Sequence, residues 1–383
     1  MRDVLEDYAA ISAADEPIGR AVVTAVSGSA PRLPGATLLA TRSGKLAGSV
    51  SGGCVEAAVA AAVVESIATG APRLETFGVS DERAWEAGLP CGGTIQVYAE
   101  PRVRPEILAA ARGGEGCVVA TVVETATGPP GAALVVPREG AARGAPSPPG
   151  AGDRAAATTR ELQESAPDVT RVARDALARE ASRTETLRSP SGGELKVFLE
   201  VFPTPPTLVV FGGAHVAAEL VRLARGLGFV TVVADGRSAF LTRERFPDAD
   251  RLVLGWPEGA FAQVGLTAAT YVCVLTHDPK FDDPALIAAL RSPARYVGAI
   301  GSRRTQAARR ERLRAAGLRE DEIARLRGPI GLDLGGRGPA ETALAILAEM
   351  TAVRYGGSAR PLGDASRSQP EEASRSNSAA VSR

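Results

Sequence analysis

Cysteine and histidine are scarce in this chain of 383 residues, which contains four cysteines and two histidines. The cysteines include no CxxC pair, so the sequence excludes a disulfide-rich secreted framework and a zinc finger. Lysine plus arginine equals aspartate plus glutamate at 44 each, so no basic excess favours nucleic acid or an anionic membrane. Because Glu56 and Glu65 interrupt the Ala/Val stretch, no apolar run reaches membrane-spanning length. The first residues also lack signal-peptide character, and we therefore expect a cytoplasmic protein with reduced thiols.

Composition divides the chain into two ordered regions and a tail. A Pro-rich linker begins at residue 203, runs to 206 and is followed by an apolar strand. It marks the boundary between a first region, 1–202, and a second region, 203–355. Residues 139–159 are rich in Gly, Pro and Ala and predict a flexible loop inside the first region. The segment 356–383 has almost no large apolar residues, and we expect it to be disordered.

The first region contains an internal repeat. Ala21–Gly44 aligns without gaps on Cys117–Gly140, with ten identities among 24 positions, and Cys91–Tyr98 aligns on Ser191–Phe198. A helix-like run lies between these anchors in each copy, so each copy predicts the order strand, turn, strand, helix, strand, strand. We therefore expect an α+β domain built by duplication.

The glycine-rich segment Gly48–Cys54 belongs to the first copy only, because a Pro/Gly-rich loop replaces it in the second. It delivers Cys54 to a predicted helix N-terminus, where unpaired N–H groups and the helix dipole favour a thiolate. Gly52 and Gly53 would let an anionic ligand approach the backbone closely. Cys91 is also private to the first copy, since a serine replaces it in the second.

Two charged residues and the other two cysteines are weaker candidates. Arg32 and Glu56 flank the glycine-rich segment, but a first-turn glutamate is often only a favourable helix-end charge. Cys117 and Cys273 lie inside apolar strand runs and are expected to be small core residues. The candidate thiols are therefore Cys54 and Cys91.

The second region alternates apolar strands with helix-like segments, which predicts a Rossmann-like, doubly wound parallel-sheet domain. The turn after its first strand, GGAH at 212–215, resembles the dinucleotide fingerprint GxGxxG/A, although Ala214 replaces the second glycine. Asp235 follows the second strand, where a carboxylate would hold a ribose hydroxyl, and the nearby Arg237 could instead bind a phosphate. A sheet with a tight turn and no ligand remains the alternative, since such a match alone is weak evidence.

Both histidines and two further loops fall where open α/β sheets place ligands. His215 and His277 follow predicted strands, with a structural role as the alternative, and they show no metal-ligand spacing. Gly301 to Arg303 opens a helix, and a glycine-rich loop containing Asp333 precedes the last helix; both suit phosphate. A solvated helix face fits Arg309, Arg310 and Arg312 better than Arg303 and Arg304.

Together these motifs resemble the XdhC/CoxI family of accessory proteins for molybdenum hydroxylases such as xanthine dehydrogenase and carbon monoxide dehydrogenase. The resemblance covers nearly the whole chain outside 139–159 and the tail. It departs from the family at the glycine turn, where the family usually has GAGH rather than GGAH. The matching segments are GSAPR (28–32), GSVSGGCVEAAV (48–59), CGGTIQV (91–97), FGGAHVA (211–217), THDPKFDD (276–283), GAIGSRRT (298–305) and GLDLGGRGPAETALAILAE (331–349).

The resemblance implies a chaperone for the molybdenum cofactor (molybdopterin or its cytosine dinucleotide form), an accessory protein rather than an enzyme with its own turnover. Its partners would be an apo molybdenum hydroxylase, a cysteine desulfurase for sulfuration, and a second copy in a homodimer. Cys54 and Cys91 would be thiol ligands or a sulfur relay beside the soft metal–dithiolene centre, with the cofactor spanning the thiol-bearing copy and the Rossmann crevice. The residues expected to bind the cofactor are Gly52, Gly53, Gly212, Gly213, His215, Asp235, Arg237, His277, Gly301, Ser302, Arg303 and Asp333.

Two other classes of protein stay open. The first is an NAD(P)-dependent oxidoreductase in which the first region caps the substrate, and titration with NAD(P)H would distinguish it. The second is an interaction scaffold without a cofactor. The glycine–thiol and glycine–arginine loops weigh against the scaffold, because docking alone does not require them.

Overall fold

The structure of this chain is a computed structural model that divides into two compact units, one ending at Thr204 and the other beginning at Pro205. It describes residues 1–13, 16–28, 32–78, 93–145, 153–190 and 192–364. Cys91 and most of the tail, from residue 365 onward, lie outside the described residues. Over the stretches that are described, no helix is long and apolar enough to cross a membrane.

The first half of unit one is an antiparallel sheet with a helix packed on one face. Its elements are α1 Leu5–Ser12, β1 Ile18–Ser27, β2 Thr37–Thr41, β3 Leu46–Gly48, α2 Glu56–Thr69, β4 Arg73–Phe77, β5 Thr94–Glu100 and α3 Pro105–Arg112. The strands are arranged in the order β3-β2-β1-β5-β4. Val59 and Val63 of α2 lie in the same buried cluster as Val23 and Ile95 of the sheet.

The second half of unit one repeats this arrangement. Its elements are β6 Cys117–Thr125, β7 Ala133–Pro137, β8 Arg143–Gly144, α4 Asp153–Glu164, α5 Ala166–Ala178, β9 Arg183–Arg188 and β10 Glu194–Phe202. Their order, β8-β7-β6-β10-β9, matches that of the first sheet strand for strand. The predicted duplication is therefore confirmed.

The two sheets of unit one pack against each other. Val22 and Tyr98 from the first sheet meet Val123 and Phe198 from the second in one buried cluster. Each sheet is therefore covered by a helix on its outer face and by the other sheet on its inner face. This explains why β1 and β6 have nearly continuous apolar sequences instead of alternating ones.

A buried group of charges also joins the two halves of unit one. Arg20 on β1 forms ion pairs with Glu100 on β5, at 3.1 Å, and with Glu200 on β10. Glu100 also pairs with Arg104, at 2.6 Å. Glu100 and Glu200 lie near the ends of equivalent strands of the two copies, so a single arginine connects the same position of both repeats.

The loop predicted over 139–159 is wrong in its last part, because α4 begins at Asp153. The Ala/Gly/Pro composition concealed an amphipathic helix that buries Thr158, Glu161 and Leu162. Residues 146–152 lie outside the described residues. In chain order α4 stands where the first copy has the glycine-rich segment, so the two copies differ where the sequence predicts a site.

Unit two is a doubly wound parallel sheet, as predicted. Its strands are β11 Thr207–Phe211, β12 Val230–Asp235, β13 Arg251–Leu254, β14 Thr270–Val274, β15 Tyr296–Ala299 and β16 Leu326–Arg327, in the order β13-β12-β11-β14-β15-β16. Its helices are α6 His215–Gly226, α7 Pro257–Val264, α8 Pro279–Arg291, α9 Arg303–Ala315, α10 Glu320–Ala324 and α11 Pro339–Tyr355. Chain order reverses between β11 and β14, which is where folds of this type open a crevice.

Helices cover both faces of this sheet. Leu220 of α6 and Ile346 of α11 lie in one buried cluster, and Phe261 of α7, Leu286 of α8 and Leu313 of α9 lie in the other. Because both faces are buried, the central strands are uniformly apolar. The polar residues of the unit therefore concentrate at the strand ends, where the crevice lies.

Candidate functional site

The glycine-rich segment before α2 is organised around the carboxylate of Glu56. That carboxylate accepts hydrogen bonds from two hydroxyls and four backbone N–H groups. The donors are Ser49 Oγ (2.6 Å), Ser51 Oγ (2.6 Å) and the N–H groups of Val50 (3.2 Å), Ser51 (2.9 Å), Gly52 (3.0 Å) and Gly53 (2.8 Å). Partial burial alone would raise the pKa of Glu56, but the hydrogen bonds from Ser49 and Ser51 outweigh it and lower the pKa from 4.5 to about 2.

Glu56 therefore has a larger role than the helix-end charge that the sequence indicates. The N–H groups of Gly52 and Gly53, which the sequence suggests for an anionic ligand, are bonded to a carboxylate of the chain itself. An external anion would have to displace Glu56 to reach them. The sequence signal is the spacing Gly53-x-x-Glu56, which is the spacing of a capping box.

Cys54 lies two residues before the first residue of α2 and carries a free, half-buried thiol. Its N–H donates to Ser51 Oγ at 3.1 Å, and its side chain packs against the buried cluster under α2. The thiol is thus held beside the Glu56 loop. Of the other described cysteines, Cys273 is a core residue as predicted, whereas Cys117 is only half-buried, and burial raises the pKa of both thiols. Cys91 lies outside the described residues.

A crevice opens at the reversal point of the parallel sheet in unit two. Its cavity has a volume of about 350 Å³. It is lined by Gly212, Ala214, Arg237, Phe240, Leu275, Thr276, His277, Asp278 and Phe281. The crevice thus combines the glycine turn after β11, the segment after β12 and the segment after β14.

The glycine turn is tightly packed on both sides. Gly212 has φ +112°, and a Cβ at this position would lie 2.6 Å from Thr276 Cγ2. A Cβ on Gly213 would overlap the carbonyl oxygen of Phe240. Glycine is therefore required at both positions, and the second requirement explains why Gly213 stands where the family's GAGH has alanine.

Both carboxylate oxygens of Asp235 accept hydrogen bonds from other groups of the chain. It is 1% exposed and accepts hydrogen bonds from the N–H of Gly213, at 2.8 Å, and from Arg237 Nε and Nη2, both at 2.9 Å. Burial opposes ionisation of Asp235, yet the bonds from Arg237 and Gly213 keep its pKa below the ordinary value. It positions Arg237 and the glycine turn, and its oxygens are not free for a ribose.

Arg237 is the fixed cation of the crevice. Its guanidinium lies 4.1 Å from the ring centroid of Phe240 and 5.6 Å from that of Phe281. Trp256 stacks on the Phe281 ring at 4.9 Å. The aromatic residues Phe240 and Phe281 are site residues that sequence reasoning missed, because they come together only when β12, β14 and α8 assemble.

The two histidines have different positions. His277 lines the crevice, whereas His215 is the first residue of α6 and is not among the lining residues. Both side chains are exposed. The first turn of α6 has no acidic residue and no side-chain cap, and the Ala217 N–H donates to the Ala214 carbonyl oxygen at 3.0 Å. The N–H groups of His215 and Val216, next to Ala214, therefore have no acceptor among the described residues.

The other two predicted anion loops also differ from each other. Ser302 caps α9 by accepting from Thr305 N–H at 3.2 Å, and Arg303 is exposed in a first turn without acidic residues. Before α11, Glu341 accepts from the N–H groups of Arg337 and Gly338, at 2.9 and 2.8 Å. This repeats the Gly-x-x-Glu arrangement of the Glu56 loop. The same loop carries the exposed Asp333, and Gly301 (φ +137°) precedes Ser302.

The predicted solvated face of α9 is wrong for Arg309. Its side chain is 1% exposed and forms an ion pair with Asp282, whose other oxygen accepts from Thr276. Burial raises the pKa of Asp282 although these hydrogen bonds oppose the shift. Arg310 donates to carbonyl oxygens, and Arg312 pairs with Asp283 at 2.6 Å. Of these three arginines, Arg309 supports the crevice wall, because its partner Asp282 is bonded to the lining residue Thr276.

Among the residues that the structure describes, no group of three or more His, Cys, Asp or Glu side chains could hold a metal ion. The described site groups are therefore a thiol in unit one and an arginine–aromatic crevice in unit two.

This fold and these loops define a protein with a duplicated α+β unit and a Rossmann unit, and comparison with known proteins identifies the family. The XdhC Rossmann domain family matches residues 208–350, and the XdhC and CoxI family matches residues 11–78. The two matches together cover more than half of the chain. The chain belongs to the XdhC/CoxI family.

Three curated relatives are similar to this chain over different lengths. A protein of Bacillus subtilis, named as a probable subunit of xanthine dehydrogenase, is 26% identical over 87% of this chain and 92% of that protein. The molybdenum cofactor insertion chaperone PaoD of Escherichia coli is 26% identical over 88% of this chain and 84% of that protein. The uncharacterized protein YqeB of Escherichia coli is 32% identical over 44% of this chain, and the match spans only 31% of YqeB.

A solved structure shares the fold. The crystal structure described as a xanthine dehydrogenase from Bacillus halodurans has a TM-score of 0.69 and 23% identity, covering 96% of this chain and 98% of that one. The likeness supports the arrangement of a duplicated unit followed by a Rossmann unit.

Proposed function

We propose that this chain is an accessory protein that binds the molybdenum cofactor and supports its insertion into a molybdenum hydroxylase. The observation that carries the proposal is its match to an insertion chaperone over 84% of that protein's length. Family membership and the match to 92% of the Bacillus subtilis xanthine dehydrogenase component agree with it.

The described residues fit the two chemically distinct parts of this cofactor. Its phosphate requires hydrogen-bond donors, which the crevice supplies through Arg237 and the first turn of α6. Its molybdenum–dithiolene part is soft, and the thiol of Cys54 is a suitable neighbour. When bound, the cofactor supplies the metal centre that the client enzyme uses. The residues of this chain hold and orient it.

Finer features of the function are part of the same proposal. Cys54 would serve as a thiol ligand or sulfur relay during sulfuration by a cysteine desulfurase, with Cys91 as a second candidate. The client would be of the xanthine dehydrogenase or carbon monoxide dehydrogenase type. Homodimer formation and the cytosine dinucleotide form of the cofactor rest on the family resemblance alone.

Purification from cells that make the cofactor tests the proposal. The wild-type protein should carry both molybdenum and pterin, measured by elemental analysis and by fluorescence of the oxidised pterin. Cys54→Ser should lose most of both. Cys117→Ser, which changes another half-buried thiol outside the site, should retain them. If Cys54→Ser retains as much molybdenum and pterin as wild type, the thiol of Cys54 has no role in binding the cofactor.

An NAD(P)-dependent oxidoreductase is the second candidate, favoured by the strand order of unit two, which is that of dinucleotide-binding folds. The engagement of Asp235 with Arg237 and Gly213 weighs against it, because that carboxylate normally holds the ribose. Titration with NAD(P)H decides between them. Stoichiometric binding with turnover of a carbonyl substrate, in a protein without molybdenum and pterin, would favour the oxidoreductase.

A further inference from the structure

Arg237 is held in one position by contacts on two sides. Its Nε and Nη2 atoms donate to Asp235, both at 2.9 Å, and Phe240 covers one face of the guanidinium at 4.1 Å. Its third nitrogen, Nη1, has no hydrogen-bond partner among the described residues. Since Arg237 lines the crevice, it presents an oriented pair of N–H donors at the cavity wall.

Other features around Arg237 also favour an anion. The first turn of α6 carries no acidic residue and begins next to Ala214, which lines the same cavity. Arg245 lies 5.3 Å from the Phe240 ring, and Lys280 lies 5.2 Å from the Trp256 ring. Two carboxylates oppose an anion on this side: Asp235, which is bonded to Arg237, and Asp278, which lines the cavity, attracts Arg237 and caps α8.

We propose that Arg237 binds a phosphate group of the crevice ligand and that Asp235 is the positioning residue that orients Arg237 for it. The proposal deepens the proposed function and rests on it for the identity of the natural ligand. The ligand class is a phosphate ester of a planar heterocycle, whose ring contacts Phe240 or Phe281. A cavity of about 350 Å³ is at the small end of ligand pockets, so it suits a mononucleotide or a pterin phosphate more than a whole dinucleotide.

Calorimetric titration of the purified full chain tests this assignment. The probes are CDP, 6-hydroxymethylpterin diphosphate, pyrophosphate, cytidine and NAD⁺. The first two probes distinguish a nucleotide phosphate from a pterin phosphate as the source. We expect at least one of them to bind, more tightly than pyrophosphate, and cytidine to bind far more weakly than CDP.

Substitutions then assign the binding to the two residues. Arg237→Met should weaken binding of the phosphate probe about tenfold or more, the effect of losing a charged hydrogen-bond donor. Arg237→Lys keeps the charge, but Asp235 cannot hold a lysine at two points. Its affinity for the phosphate probe should therefore lie between those of wild type and Arg237→Met. Arg222→Met is the matched control, because Arg222 also forms two bonds to a carboxylate, that of Glu219, at an exposed site outside the crevice. It should bind as wild type does.

The role of Asp235 is tested by non-additivity. Asp235→Asn should weaken phosphate binding in the wild-type background but add little in the Arg237→Met background. A purely structural role would weaken both backgrounds equally. Thermal unfolding of each variant shows whether it is folded, and Arg237→Met, which changes a partly exposed side chain, keeps the test informative if Asp235→Asn unfolds.

Three results would overturn the inference: unchanged phosphate binding by Arg237→Met, cytidine binding as tight as that of CDP, or no phosphate probe bound by wild type. Its failure differs from that of the proposed function. If wild type carries molybdenum and pterin while Arg237→Met binds phosphate normally, only the inference fails. If wild type carries neither while Arg237→Met loses the phosphate probe, only the proposed function fails.

Discussion

Glu56 and Glu341 decide whether the glycine-rich loops that precede them can bind an external anion. Each carboxylate accepts from backbone N–H groups of its own loop, and each follows a glycine by three residues. The turns before α6 and α9 lack a glutamate at this spacing, and the first turns of these helices contain no acidic residue. Among the described α-helices, α6 and α9 therefore have first turns free of carboxylates, and α9 has Ser302 as its cap.

Substitution of Glu56 should change stability in a pH-dependent way. A carboxyl whose folded pKa is lowered to about 2 stabilises the fold above its unfolded value of 4.5 and loses this contribution as pH falls toward 2. Glu56→Gln should therefore cost about 1.5–3 kcal/mol of unfolding free energy at pH 7, the range for hydrogen bonds to charged groups. The difference from wild type should narrow below about pH 4.5.

Urea unfolding of both proteins between pH 7 and pH 3.5 checks this expectation. Glu65→Gln is the control on the same helix, because Glu65 is 55% exposed and its ion-pair partner among the described residues is Arg73 at the surface. It should change the unfolding free energy little. A Glu56→Gln deficit that stays constant across this pH range would refute the assigned pKa.

At the scale of elements, the two repeats of unit one are joined by charges as well as by apolar packing. Glu200 has Arg20 as its ion-pair partner among the described residues, whereas Glu100 also has Arg104. Removing Arg20 would therefore leave the buried Glu200 without its direct ion-pair partner, with only the longer-range attraction of Arg104, while Glu100 would keep Arg104 as a direct partner.

Arg20→Met should destabilise the chain by about 3–5 kcal/mol, because it removes the direct ion-pair partner of the buried Glu200. The double variant Arg20→Met/Glu200→Leu should recover much of that loss, since it replaces both charges with apolar groups. Urea unfolding measures both. A double variant as unstable as Arg20→Met would contradict the assignment of Glu200 to Arg20.

The glycine turn of unit two is fixed by its neighbours. Gly213→Ala should destabilise the chain by about 1–3 kcal/mol, because the added Cβ meets the Phe240 carbonyl and forces the segment after β12 to move. Gly226→Ala is the control, since a Cβ there meets no atom within 4 Å. Thermal unfolding distinguishes them, and equal midpoints for Gly213→Ala and wild type would contradict this packing.

Sequence patterns predict these elements unevenly. The repeat and the parallel sheet were predictable because long apolar strands and aligned turns recur as a regular pattern in the sequence. Strand β16 has only two residues, which is too short to show such a pattern in the sequence. The burial of Arg309 was unpredictable for a different reason: its partner Asp282 lies 27 residues away, and an arginine-rich helix ordinarily faces solvent.

The candidate site was predictable as a set of loops but not as a set of contacts. Motifs placed Arg237, His277 and Cys54 near strand or helix ends, where the structure finds them. They could not show that Asp235 commits its oxygens to Arg237 and Gly213, or that Phe240 closes over the turn. Such facts depend on side chains from separate elements that meet only in the folded chain.

At the scale of the whole molecule, the two units carry different chemical groups. Unit one provides a thiol beside a loop whose N–H groups are already bonded, and unit two provides a crevice lined by an arginine. The proposed cofactor contains a soft metal centre, which suits a thiol, and a phosphate, which suits an arginine.

Transfer of metal between proteins tests the central claim most directly. The chain, purified with bound cofactor, is mixed with a purified apo molybdenum hydroxylase, and the two proteins are separated again. We predict that molybdenum and pterin leave the chain together and appear in the hydroxylase, whose activity rises in proportion. A chain that carries no molybdenum, or that keeps it while the hydroxylase remains inactive, would contradict the proposed role.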